Sequence, residues 1–240
     1  MIMTWKRSNF KENNIWHTFK VEEELNGDIQ EFMIQDLPKE RHEEALKFML
    51  DNFLSDEPIC KSKNVLNNNV ALKEICELWE NVLDQKCTLA CIRKDNLELV
   101  GLNMLCVITK EDFANFKLIV RKDNTWKAVH DFALANFNLF ERYNFADKIL
   151  IAYGLSVSKQ YRKKGIATEI LRSRIPLCKA LNIPLTSTVF TALGSQKPAE
   201  KIGFKVDYEI TYKELGRLYE AFDFEDLGTS TLKVMSLVID

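Results

Sequence analysis

The chain has 240 residues, a length that suits one large domain or two small ones, and its 46% hydrophobic content can fill a core. Its 33 basic and 35 acidic residues leave a net charge of −2, which argues against a nucleic-acid partner held by bulk electrostatics. With no 18-residue apolar stretch and no signal-like apolar core at the N-terminus, the expectation is a cytoplasmic protein with no membrane partner.

In chain order, residues 1–28 are polar and aromatic, and are expected to form an extension packed on the domain with Ile15, Trp16 and Phe19 as anchors. Residues 31–37 suggest a strand that Pro38 stops. Residues 41–53 set Ala45, Phe48, Met49 and Phe53 near helical period. Residues 69–85 do the same with Val70, Leu72, Ile75, Leu78, Trp79, Val82 and Leu83. Residues 87–93 and 99–109 look like strands joined through Lys94-Asp95-Asn96, a hairpin signal. A Phe-rich helix is predicted over 126–143, with His130 as a packing residue. Strand 149–157, helix 166–181 and strand 184–190 follow. A short helix over 195–202 ends at Gly203, a suitable C′ residue. Residues 204–213 and 229–239 complete the set as two strands separated by an aromatic, acidic insert. This alternation predicts an α/β fold in which helices flank a central mixed sheet. Residues 29–240 are expected to form a single domain, with no internal repeat and no low-complexity linker.

The six cysteines (Cys60, Cys76, Cys87, Cys91, Cys106 and Cys178) form no C-x-x-C pair, and three lie in apolar strand-like runs, so reduced, buried thiols are expected. The three histidines (His17, His42 and His130) are scattered, and no metal is expected.

The most informative run is 155–168. Apolar residues end at Ser158-Lys159-Gln160, a basic turn Arg162-Lys163-Lys164-Gly165-Ile166-Ala167 follows, and a helical pattern begins with Ile166, Ile170, Leu171, Ile175 and Leu177. Strand, tight turn and helix start aim several backbone N–H groups at one point. Gly165 can take positive φ and admit a ligand close to the backbone. Such a turn suits a polyphosphate, with Arg162, Lys163 and Lys164 on its outer oxygens. Neither a P-loop nor a three-glycine dinucleotide fingerprint is present. The bland alternative is a basic surface turn that starts an ordinary helix.

Arg162-x-x-Gly165-x-Ala167 resembles the Arg/Gln-x-x-Gly-x-Gly/Ala turn of the GNAT superfamily of acetyl-CoA-dependent N-acyltransferases, and the element order over 29–240 is that of the GNAT fold. A second run, Ser195 through Phe204, is similar to the family's Asn-x-x-Ala-x-x-x-Tyr-x-Lys-x-Gly-Phe at Lys201, Gly203 and Phe204. Ala192, Ser195 and Ala199 stand at the Asn, Ala and Tyr positions. That tyrosine usually protonates the leaving thiolate, and Ala199 has no proton to give. Ser55-Asp56-Glu57-Pro58, Thr191, Ser195 and the lost tyrosine resemble the insect arylalkylamine N-acetyltransferases. So does Ile15-Trp16-His17-Thr18-Phe19 followed by Ile34-Gln35-Asp36-Leu37-Pro38.

The resemblance implies an acetyltransferase that takes acetyl-CoA and a small primary amine, such as dopamine, tyramine, serotonin or tryptamine, and a monomer is expected. It implies Glu57 as general base, with the hydroxyls of Thr191 and Ser195 handling protons and substrate geometry. Thr191 replaces a serine and adds a methyl group, which leaves its role less defined. Coenzyme A would lie on Leu155, Ser156 and Val157 and on the turn Arg162, Lys163, Lys164, Gly165, Ile166, Ala167 and Thr168. Two alternatives stay open: an acetyltransferase for agmatine, polyamines or a longer acyl-CoA, and a non-catalytic CoA-binding module of the same fold.

The chemistry explains the need for these groups. An alkylamine near the lysine reference of ~10.4 is protonated at neutral pH, and removing its proton costs roughly 4 kcal/mol. A carboxylate of ordinary strength, ~4.3, is a weak base for that task unless burial strengthens it or a water relays the proton. The tetrahedral oxyanion needs N–H donors, most naturally from 155–157. A thiolate with pKa ~8.5 can leave without an obligatory acid. Ser195, one turn before Ala199, would then share the cleft with it. Each residue also has a plainer reading. Glu57 would be a helix-terminus charge, Thr191 and Ser195 helix caps, Cys60 a structural thiol, Lys163 and Lys164 a solvated pair, and 220–226 a solvated loop.

Overall fold

The computed structural model describes residues 3–8, 14–22, 27–116, 138–218 and 228–240. Strands β1 (Ile15–Glu22), β2 (Ile29–Asp36), β3 (Leu89–Arg93), β4 (Leu99–Thr109), β5 (Lys148–Val157), β6 (Leu185–Phe190), β7 (Lys205–Thr211) and β8 (Thr231–Val238) form one sheet in the order β1-β2-β3-β4-β5-β6-β8-β7. Neighbours are antiparallel except β5 and β6, which run parallel. The helices are α1 (His42–Asn52), α2 (Pro58–Ser62), α3 (Asn69–Leu83), α4 (Lys110–Phe116), α5 (Leu139–Arg142), α6 (Ile166–Arg172), α7 (Arg174–Leu181), α8 (Leu193–Ile202) and α9 (Tyr212–Leu218).

Both faces of the central strands are covered, so β4 is buried from Leu99 through Ile108 and carries no polar alternation. On one face, Ala90, Ile92, Leu102, Met104 and Cys106 meet α1 and α3. On the other, Leu89, Cys91, Val100, Leu105 and Val107 meet Ile166, Ile170 and Leu177 from α6 and α7. Helix α3 buries Ala71, Ile75, Leu78, Trp79 and Val82, an apolar stripe at helical spacing. The Asn68 side chain caps this helix by accepting from the N–H groups of Val70 and Ala71. Trp79 Nε1 donates to the Tyr153 carbonyl at 2.8 Å and fastens α3 to β5.

Four departures from the sequence reading have physical causes. The segment read as an extension contributes the edge strand β1, which pairs with β2 along its length. A bulge between Ile15 and His17 breaks the two-residue period, so Trp16, Phe19 and Val21 all pack against the core while Ile15 is exposed. The helix expected over 166–181 is divided at Ser173. Pro176 has no N–H to donate to the Arg172 carbonyl, and at the break Ser173 Oγ donates to the Glu169 carbonyl. The strand expected over 204–213 stops at Thr211, whose hydroxyl pairs with Glu214 as α9 begins. Helix α8 starts at Leu193, two residues early. Of the helix expected over 126–143, only 138–143 belongs to the described residues, and Leu139–Arg142 is helical there. His130 and the insert 220–226 lie outside the described residues.

The N-terminal residues are strapped down through Asp36. Arg7 pairs with it at 3.0 Å, Trp16 Nε1 donates to it at 2.8 Å, and the Asn14 backbone and side-chain nitrogens donate to its other oxygen. Arg7 and Asp36 are both buried. Asp36→Ala leaves a buried guanidinium without its counter-charge and is expected to cost about 3 kcal/mol. Denaturant unfolding measures this directly, and a loss below about 1 kcal/mol would show that the strap holds nothing.

Candidate active site

Strands β5 and β6 pair only at Leu150–Thr186 and Ile151–Ser187. Beyond that point they part. Gly154 sits at φ +130 beside a register shift between β4 and β5, and a Cβ there would meet Met49 Cε at 2.5 Å. Asn103 Nδ2 holds the Gly154 carbonyl at 2.8 Å. The divergence opens a cavity of about 680 Å³ between Ala152–Val157 on one wall and Thr188–Phe190 on the other.

The turn expected to hold a polyphosphate forms one end of this cavity. Lys163 and Gly165 both adopt left-handed backbone, at φ 63 and 79. A Cβ at Gly165 would meet nothing within 4 Å, so the space above it is open to a ligand. Ile166 and Ala167 begin α6 and have no acceptor for their N–H groups within the helix, whereas the Thr168 N–H turns back to the Gly165 carbonyl at 2.9 Å. Leu155, Ser156, Val157, Arg162, Lys163, Gly165, Ile166, Ala167 and Thr168 all line the cavity. Lys164 does not. Its ammonium lies 5.4 Å from the Tyr161 ring centroid. Arg162 is turned to the protein: Nε donates to the Val157 carbonyl at 2.9 Å, a terminal nitrogen to the Asn52 carbonyl at 3.4 Å, and the guanidinium pairs with Asp56. This arginine therefore ties the Asp56-Glu57-Pro58 loop to the turn.

Glu57 lines the same cavity as the turn. The chain leaves α1 through Phe53, whose carbonyl accepts the Glu57 N–H at 2.8 Å, and Pro58 opens α2 at a position that needs no N–H. Glu57 is the N-cap of α2, with Oε2 accepting the Cys60 N–H at 2.7 Å. The plainer reading of Glu57 as a helix-terminus charge thus describes one of its oxygens. The other, Oε1, is buried and has no hydrogen-bond partner, and the residue is 9% exposed. Two neighbours register its charge. The Cys60 thiol is pushed up by burial and then by Glu57. The Tyr212 phenol is also raised by burial first and Glu57 second. Tyr212 donates to the Thr191 carbonyl at 2.6 Å, which packs α9 behind the cavity wall. The sequence reading missed Tyr212 because it ran a strand through that position, and no local spacing marks it.

Thr191 and Ser195 line the same cavity as Glu57. Neither caps α8. The N-cap is Ala192, with no side-chain bond, and Ser195 Oγ donates to the Ala192 carbonyl at 2.9 Å. Ala199 does not share the cleft with Ser195. It is fully buried against Leu171, Phe190, Phe204 and Met235, and Pro198 takes the cavity side of the helix instead. All six cysteines are free and five are buried. Among the described residues, no group of His, Cys, Asp or Glu is placed to hold a metal ion, and no helix is long and apolar enough to cross a membrane.

The chain is similar to several solved structures. A protein from the yellow fever mosquito Aedes aegypti, assigned as insect arylalkylamine N-acetyltransferase 7, is 36% identical with a TM-score of 0.91, and the match covers 99% of this chain and 100% of the other. Arylalkylamine N-acetyltransferase 2 from the same mosquito is 18% identical with a TM-score of 0.75, over 87% of this chain and 99% of the other. A Drosophila melanogaster polyamine N-acetyltransferase that forms N-acetylagmatine is 10% identical with a TM-score of 0.70, over 87% and 100%. No family model and no curated protein matches the chain.

Proposed function

The chain belongs to the insect arylalkylamine N-acetyltransferases of the GNAT superfamily, enzymes that acetylate amines from acetyl-CoA, and from that premise we propose that its own substrate is a single-amine compound with an apolar, aromatic body. The observation that carries this reading is the buried, unpartnered Glu57 Oε1 on an otherwise largely apolar cavity wall. Phe53, Ile59, Ile75, Tyr153, Leu193 and Leu215 line the cavity, and among the described residues its acidic lining residues are Glu57 and Asp56. Asp56 is occupied by Arg162. A second cationic end, as in agmatine or a polyamine, would meet apolar surface there and lose its hydration uncompensated.

Glu57 is proposed as the base that removes the ammonium proton, directly or through a water. The turn Lys163–Thr168 would hold the pyrophosphate of coenzyme A on its backbone N–H groups, and the cavity-facing edge of Leu155–Val157 would receive the thioester carbonyl. Open space over Gly165 and its left-handed backbone support this fit. The reactive part of acetyl-CoA is its thioester, which supplies the acetyl group. A cytoplasmic monomer is the proposed state, and the buried free thiols favour a reducing compartment.

Incubating the protein with acetyl-CoA, an amine panel and a thiol reagent tests the reading. Thiol release should require an amine and should be faster with tyramine, dopamine, serotonin or tryptamine than with agmatine or spermidine. Agmatine in the lead would reassign the substrate. Tight acetyl-CoA binding with no release for any amine would make the chain a binding module.

Ser195 is proposed to act through its hydroxyl or a water that it orders near the leaving group. Ser195→Ala is expected to lower turnover by about tenfold, with a stability change well below the ~1 kcal/mol of a lost helix cap. Unchanged turnover alongside lost stability would reduce Ser195 to support of the first turn of α8.

A further inference from the structure

Arg174, the first residue of α7, is fully buried and has no carboxylate partner among the described residues. Its Nε donates to Asn103 Oδ1 at 2.8 Å, and one terminal nitrogen donates to Thr188 Oγ1 at 2.8 Å and Thr186 Oγ1 at 3.4 Å. The other terminal nitrogen is buried with no hydrogen-bond partner. The guanidinium carbon lies 5.8 Å from the Phe204 ring centroid. Every one of these contacts is neutral. Burial lowers the Arg174 pKa to about 9, which still leaves it charged at neutral pH. The neighbouring Cys178 thiol, pushed up to about 12, is neutral there.

A lone buried cation is an expensive way to fill a core, and an apolar side chain of similar volume commonly does better. Its place in the fold offers a reason. Asn103 lies on β4 and passes the link to the Gly154 carbonyl on β5. Thr186 lies in the short stretch where β5 and β6 pair, and Thr188 is the first β6 residue to line the cavity. Arg174 thus grips both walls at the point where they part. The core cluster that holds Phe204 also holds Ala199, which stands where the wider GNAT sequence pattern has its proton-donating tyrosine.

In the transfer step the amine nitrogen adds to the thioester carbonyl carbon and a C–N bond forms. The C–S bond then breaks with its electron pair going to sulfur, and the nitrogen loses its proton to the base or solvent. Negative charge appears first on oxygen and then on sulfur. A fixed positive charge just behind the wall is already oriented for both. We propose that Arg174 is a positioning residue whose buried charge, applied through Thr188 and Asn103 at the divergence of β5 and β6, stabilises the departing coenzyme A thiolate in place of a proton donor at position 199. This inference rests on the cavity being the acetyl-CoA site.

The test pairs turnover with titration of the bound coenzyme A thiol, followed by its ultraviolet thiolate absorbance against the desulfo-CoA complex as blank. Arg174→Met should lower turnover about tenfold to hundredfold, with the acetyl-CoA KM within about threefold of wild type. The bound thiol should titrate about one unit or more higher than in the wild-type complex. Arg174→Lys, which keeps the charge, should keep the wild-type titration. Arg174→Gln, which keeps donors and drops the charge, should follow the methionine variant and carries the test if that variant does not fold. Reduced turnover with an unchanged thiol titration would overturn the proposal and leave Arg174 as scaffold, and so would wild-type turnover in the charge-free variants. Wild-type protein that fails to bind coenzyme A by calorimetry would instead overturn the cofactor reading beneath it.

Discussion

Glu57→Gln is expected to reduce turnover by about 10²–10⁴-fold, the usual scale for loss of a general base. The substitution removes the proton acceptor with little change in shape. A glutamine oxygen can still accept the Cys60 N–H that Oε2 now accepts at 2.7 Å, so the cap of α2 survives and the variant should fold. Acetyl-CoA affinity should change little, because the turn at Gly165 is separate from the Glu57 loop in sequence and donates no hydrogen bond to this carboxylate. The low-pH limb of the turnover profile should disappear with the base. Steady-state kinetics across pH, with folding checked by circular dichroism, decides the matter. Full activity with an unaltered profile would place the base elsewhere or leave the task to bulk water.

Gly165→Glu is expected to abolish acetyl-CoA binding while the fold persists. Two effects act together. A non-glycine residue at φ +79 costs about 1–2 kcal/mol of backbone strain. A carboxylate then stands in the open space over the turn, where the phosphate oxygens would sit, and repels them. Charge-assisted hydrogen bonds contribute roughly 1.5–3 kcal/mol each, so losing two weakens binding by about 10²–10⁴-fold. Nothing within 4 Å of the new Cβ clashes, so thermal unfolding should shift only modestly. Gly165→Ala separates the terms, because it adds the strain without the charge and should weaken binding far less. Unchanged affinity in folded Gly165→Glu, measured by calorimetry, would remove the pyrophosphate from this turn.

Arg162 shows where a motif reading stops. Its residue type and place in the turn suggested a phosphate contact, and it does line the cavity. Its side chain, however, holds the carbonyls of Val157 and Asn52 and pairs with Asp56. The Asn52 partner is 110 residues away in sequence. Ala199 makes the same point in reverse. Four residues from Ser195, it was expected on the same helix face, yet the sheet packs α8 so that Ala199 meets Phe190 and Phe204.

Period, turn chemistry and short motifs determined most of the described strands and longer helices, their order, the α/β class, the glycine turn and the Glu57 loop, because each depends on residues within a few positions of one another. The bulged strand β1 and the break at Ser173 escaped, since a displaced period and a proline two residues inside a helix start disguise a local pattern. The tertiary structure alone decided what the cavity is. The parting of β5 from β6, Tyr212 behind Thr191, and the Arg174 link to Asn103 all join chain segments far apart in sequence, the last across 71 residues. Such contacts come from how two packed faces of one sheet meet, and side-chain volume and hydrogen-bond geometry in three dimensions select them, which no spacing along the chain encodes.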